Sequence, residues 1–221
     1  MSTPQPEGNR REQRLEASLF ALGACGLLVL LGLISLMEGW KLVGVPGWVW
    51  FILAAPQLVL VAAIRFDASR TVDVAVVSVV VTANLCGLAL LITSLVMEKS
   101  NDLSGGQLLL SGALVWLTNV VVFGLLYWSV DAGGPRARTR HGRRRPDFWF
   151  PQDDNDRLHR TGWYPRLGDY TYVALTNGIA FSPTDAMPLT RGAKAFMALE
   201  AMISVGAVLL VAARAVNVLG S

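Results

Sequence analysis

Glu200, Ser204 and Arg214 fall within about 40° of one helical stripe at 100° per residue, a stripe that also carries Ala207 and Val211. The apolar run that holds them, Ala195 to Ala213, reaches spanning length only if Glu200 is accepted inside it. A carboxylate roughly two turns into lipid needs a partner or water, so this stripe is a candidate polar path through a membrane. Just upstream, Thr176, Asn177, Ser182, Thr184 and Asp185 lie in and after a short apolar segment, and they are candidates to line the mouth of such a path. Asp73 and Asn84 share a face of an earlier apolar run, and Asn119 sits in the middle of another. Asn84 and Asn119 read as interhelical hydrogen-bonding groups, worth on average about 0.6 kcal/mol each.

Other chemistry is poorly provided for. His141 and His159 both fall in a polar stretch, and no His, Cys, Asp or Glu set shows metal-ligand spacing. Cys25 and Cys86 are far apart inside apolar runs, as small buried hydrophobes would be. No nucleophile elbow, phosphate loop or dinucleotide fingerprint occurs. Asp185 and Glu200, fifteen residues apart, make a weak acid pair. Neither an enzyme nor a cofactor nor a metal centre is expected.

The elements that must position these residues follow from composition. Of 221 residues, 53% are hydrophobic and 16% charged, with a mean hydropathy of +0.47. That charge content is well under the roughly 25% of ordinary globular chains and points to lipid as solvent. Crossing about 30 Å of hydrocarbon takes roughly 20 apolar residues, and five runs meet or approach that length. They are Ala17 to Met37, Gly47 to Ile64, Val74 to Met97, Leu108 to Val130, and Ala195 to Ala213. Lipid satisfies no backbone polar group, so each must be a helix. The expected fold is an all-α integral membrane protein of about five transmembrane helices.

Four regions follow. Residues 1–16, rich in Pro, Gln, Glu and Arg, suggest a disordered tail. Residues 17–130 form a four-helix transmembrane region, 131–168 a basic interfacial loop, and 169–221 a half-helix hairpin with the last spanning helix. Trp40, Trp48 and Trp50 around the first turn, and Tyr127 with Trp128 at the end of the fourth run, suit the headgroup level. Gly23, Gly26, Gly32 and Gly206 offer shallow surfaces for helix approach.

Charge placement sets the orientation. With the N-terminus in the cytoplasm, sixteen Lys and Arg residues fall on the inner side and only Lys41 and Lys99 outside, Arg214 lying within the last run. Arg143, Arg144 and Arg145 are placed to hold anionic headgroups at about 1 kcal/mol each. Membrane lipids are therefore the expected partners, and nucleic acid is not. Phe148, Trp149 and Phe150, between Pro146 and Pro151, are expected to lie in the interface as a wedge.

Tyr170 to Phe181 is an apolar run of about 12 residues, too short to span. Asp169 is placed to cap it, and Ser182-Pro183-Thr184-Asp185 breaks it, so a re-entrant hairpin is expected. The segments FGLLYW from Phe123, DAGGP from Asp131, PDFWFPQ from Pro146, DYTYVALTNGIAFSPTDAMPL from Asp169 and ARAVN from Ala213 resemble a family of bacterial polytopic membrane proteins, DUF thirteen-forty-five. The resemblance covers roughly the C-terminal half and implies a multi-pass bacterial plasma-membrane architecture without an assigned activity. The same half is also similar to the pore hairpin of tetrameric cation channels. It lacks the second glycine and the tyrosine of their potassium filter, since Thr176-Asn177-Gly178-Ile179-Ala180 stands there. Two functions are thus expected: channel-like permeation past the hairpin, with the path between identical subunits of a homo-oligomer, or a structural, partner-binding role without transport.

Overall fold

The computed structural model describes residues 7–37, 46–65, 79, 82, 86, 89, 105–134, 137–138, 145–153, 163–180 and 186–219. Helix makes up 85% of these, in agreement with an all-α chain. The described long helices are α1 (Glu7–Met37), α2 (Trp48–Arg65), α3 (Gly105–Val130), α4 (Leu167–Ala180) and α5 (Arg191–Leu219). Within them Leu15–Met37, Gly112–Gly133 and Arg191–Leu209 are long and apolar enough to cross a membrane, and Trp48–Val59 is a shorter apolar stretch. The expected third span, Val74 to Met97, lies outside the described residues except for Val79, Thr82, Cys86 and Ala89, all of them helical.

Helix α1 begins at Glu7, within the segment expected to be a disordered tail. Glu, Arg, Gln and Leu are strong helix formers, and the adjoining apolar span supplies the nucleus from which helix propagates outward. Helix α2 continues through Pro56, and the buried Gln57 that follows it turns its amide so that Nε2 donates to the carbonyls of Leu53 and Ala54, at 2.7 and 2.9 Å. Of the four glycines expected at helix contacts, only Gly32 makes one, with the Phe51 ring of α2 against it. Gly23, Gly26 and Gly206 face open space.

Helix α3 is the centre, packed on α1, α4 and α5. It approaches α4 closely at Gly124, where an added Cβ would stand 2.9 Å from Cα of Thr171. At its C-terminal end Ala132, Gly133 and Gly134 all have positive φ (51°, 82° and 92°), which ends the helix and folds the chain back. Gly134 is required there, since a Cβ would meet the Ser129 carbonyl oxygen at 2.8 Å. The returning chain forms β1 (Phe148–Trp149), paired antiparallel with β2 (Met187–Pro188) just before α5.

The expected aromatic wedge is overturned. Phe148 and Phe150 are fully buried, Phe148 packing between Tyr127 and Tyr170 with centroids at 4.9 and 6.1 Å. Phe150 packs on Tyr170 and Trp163. Rings that already find aromatic partners gain more from this enclosure than from the headgroup region. Trp50 and Tyr127, expected at the interface, are buried as well, whereas Trp48 is exposed.

Candidate functional site

Two polar clusters hold α3, α4 and α5 together, one at the end of α3 and one deep between the helices. The first is built on Asp131, which is fully buried. Its Oδ1 accepts the backbone N–H groups of Asp147 (2.7 Å) and Phe148 (3.1 Å), and its Oδ2 accepts the Tyr170 hydroxyl at 2.6 Å. Arg138 balances the charge, with Nη1 3.9 Å from Oδ2. The same Nη1 donates to the carbonyls of Trp128 and Asp131, and the guanidinium lies over the Trp128 and Tyr170 rings. An arginine within the basic stretch is thus an internal strut rather than a surface anchor, because the buried carboxylate requires a counter-charge.

Asp147 extends the cluster to α5. It accepts the Ala132 N–H on Oδ2 and the Thr190 hydroxyl on Oδ1, and its main-chain carbonyl accepts Leu189 N–H at 2.8 Å. Thr190 Oγ1 in turn accepts Ala193 N–H at 3.2 Å and caps α5. Helix α4 starts at Leu167, two residues before the expected cap, so Asp169 lies in its first turn, where its carboxylate reaches back to accept the Arg166 N–H at 2.6 Å. Glu16 of α1 accepts the Gly168 N–H at 3.1 Å and adds a cap from another helix.

The second cluster surrounds Glu200, which has no solvent exposure. Its Oε2 accepts the Tyr127 hydroxyl from α3 at 2.5 Å and Asn177 Nδ2 from α4 at 2.8 Å. Asn177 Nδ2 also donates to the Met197 carbonyl at 2.9 Å, which fixes the amide so that its N–H edge faces the carboxylate. Oε1 has no hydrogen-bond partner among the described residues. One turn further along α5, the buried Ser204 accepts Asn119 Nδ2 at 3.3 Å, the interhelical bond expected of Asn119. Gly178 admits this approach, since a Cβ there would stand 3.0 Å from Ser204 Oγ and 3.4 Å from the unpartnered Nε1 of Trp116.

The α5 stripe is therefore assembled as expected for Glu200, Ser204 and Ala207, all of them buried. At about 1.5 Å per residue Glu200 lies roughly 14 Å along α5 from Arg191, and Asn177 roughly 15 Å along α4 from Leu167. Glu200 thus sits near the middle of the Arg191–Leu209 span, and Asn177 lies toward the C-terminal end of the shorter α4. Thr176 does not join them. Its hydroxyl bonds back to the carbonyls of Tyr172 and Val173. Ser182, Thr184, Asp185, Asp73, Asn84, Arg143 and Arg144 lie outside the described residues, and Arg145 is exposed with a φ of 51°. Arg214 belongs to α5, but its side chain is outside the described set.

Sequence reasoning missed Tyr127, Asp131, Arg138, Asp147 and Tyr170. One signal was present: Tyr127 and Asp131, one turn apart at the end of an apolar run, share a helix face. No metal-ligand group of His, Cys, Asp and Glu occurs among the described residues. No family model, curated protein or solved structure matches the chain.

Proposed function

We propose that this chain is a multi-pass membrane protein that lets small cations cross along the seam between α3, α4 and α5. The observation that carries this reading is Glu200, an ionisable side chain fully enclosed near mid-span, with one carboxylate oxygen that meets no donor among the described residues. A group of that kind is costly in hydrocarbon unless it serves a polar path. The seam lies within one chain, so the path is assigned inside the protomer rather than between subunits.

In this proposal α4 is the inward arm of a re-entrant hairpin, whose expected break at residues 182–185 lies outside the described residues. Two attachments support it. Tyr170, in the first turn of α4, is bonded to Asp131, while β2, past the hairpin, pairs with β1 beside Asp147. The segment thus enters and leaves at the same end of α3, and Asn177 lies well inside. The sixteen-to-two distribution of positive charge supports a cytoplasmic N-terminus in a bacterial plasma membrane, with the hairpin on the cytoplasmic side. Arg145, exposed beside the fold, suits anionic lipid there, together with Arg143 and Arg144.

One observation favours a structural role instead. Glu200 Oε2 already has two donors from two other helices, which is also how a polar clamp would look. The two readings separate in purified liposomes, where flux of several cations and thermal stability are measured on the same preparations of parent and Glu200→Gln protein. Permeation predicts flux in the parent, lost in the variant with the fold retained. Absence of flux for every cation and pH tested would leave the clamp.

A further inference from the structure

We infer that the ion Glu200 passes along the seam is the proton, and that the site excludes metal cations. The inference rests on the permeation reading and names its substrate. A sodium, potassium, magnesium or calcium ion that loses its hydration shell needs roughly six or more oxygen ligands in return. The groups aimed at this carboxylate present hydrogens instead. Tyr127 donates its O–H to Oε2, and Asn177 turns its N–H edge inward because its Nδ2 is also bonded to the Met197 carbonyl. A flipped Asn177 would set its oxygen against both that carbonyl and the carboxylate. A metal ion at Glu200 would thus meet a carboxylate whose Oε2 is already taken by an O–H and an N–H donor, with Oε1 as its one open oxygen among the described residues.

The same set fits a proton carrier. A hydronium reaching Oε1 forms an O–H bond there and leaves as water, giving the neutral carboxylic acid. In the reverse step a water takes that proton, the O–H bond breaks with its electron pair staying on oxygen, and the carboxylate is held by the Tyr127 and Asn177 donors. Those two groups stay in place throughout, so only Oε1 cycles between protonated and open. Tyr127 from α3 is the titratable group in contact with Glu200, and Asn177 from α4 is neutral. The charged groups Asp131 and Arg138 lie about a turn beyond Tyr127, behind the Phe148 ring.

The test uses full-length protein in liposomes with a pH indicator sealed inside. An imposed pH gradient should collapse faster with the parent than in empty vesicles, and Glu200→Gln should return the rate to that of empty vesicles. Uptake of sodium, potassium and calcium tracers at equal pH should match empty vesicles throughout. Infrared difference spectra between acidic and alkaline buffer should show a carboxylic-acid carbonyl band that Glu200→Gln removes, whichever way the flux falls. Metal-cation uptake that depends on Glu200 overturns the proton assignment and keeps the permeation reading. A missing infrared band likewise overturns the proton assignment. No flux of any ion overturns both.

Discussion

The phenolic oxygen of Tyr127 lies 2.5 Å from Oε2 of Glu200, a contact between residues 73 positions apart that ties α3 to α5 at the bottom of a fully buried pocket of polar atoms. Both partners are buried, so the hydroxyl and the carboxylate oxygen each depend on the other for a hydrogen bond.

Tyr127→Phe keeps the ring and removes the hydroxyl, so Glu200 retains a single donor. The expected loss is about 1 to 3 kcal/mol of stability, the cost of leaving a buried acceptor short of its bond. In a Glu200→Gln background the same change should cost clearly less, because the two residues act on one interaction. Thermal unfolding in detergent of the four proteins measures this, and equal losses in both backgrounds would show that the contact carries no stability.

Asp131→Asn should be the more damaging change. Asparagine presents one acceptor oxygen where Asp131 accepts three described donors, and it leaves the buried Arg138 without a counter-charge. Removing one partner of a buried pair typically costs about 3 to 5 kcal/mol. The expected outcome is loss of the folded monomer in detergent at temperatures the parent withstands, checked by size-exclusion and thermal unfolding. A variant as stable as the parent would exclude the Asp131 cluster as the anchor of α4 and β1.

Gly124→Ala and Gly23→Ala should move stability in opposite directions. At Gly124 the new methyl meets the backbone of Thr171, which cannot step aside without moving α4, at an expected cost of about 1 to 3 kcal/mol. At Gly23 nothing lies within 4 Å, and alanine in a helix interior gains roughly 0.5 to 1 kcal/mol over glycine. Paired melting curves test this. Similar shifts would mean that the α3–α4 approach is looser than its geometry.

The orientation is checked by labelling. In a Cys25→Ala, Cys86→Ala background, Ser2→Cys should be shielded from membrane-impermeant thiol reagents in intact cells, and Ser221→Cys should react. The opposite pattern would place the hairpin on the outer face.

The apolar runs alone determine that this chain is helical and suited to a membrane, because a polypeptide in hydrocarbon can satisfy its backbone only within the helix and needs a known length to cross. Periodicity likewise put Glu200, Ser204 and Ala207 on one stripe, since that relation is local to a single helix. Neither property says what faces the stripe. Tyr127 looked like a headgroup aromatic and Arg138 like one more positive-inside charge, because composition cannot tell a ring or guanidinium at the interface from one folded over a buried carboxylate. Only the turn at Ala132, Gly133 and Gly134 brings Asp147 and Phe148 back under Asp131. Only the approach of α4 to α3 at Gly124 and to α5 at Gly178 puts Asn177 against Glu200. Such pairings join residues up to 152 positions apart, and the tertiary structure decides them through which polar atoms find a partner when the helices close.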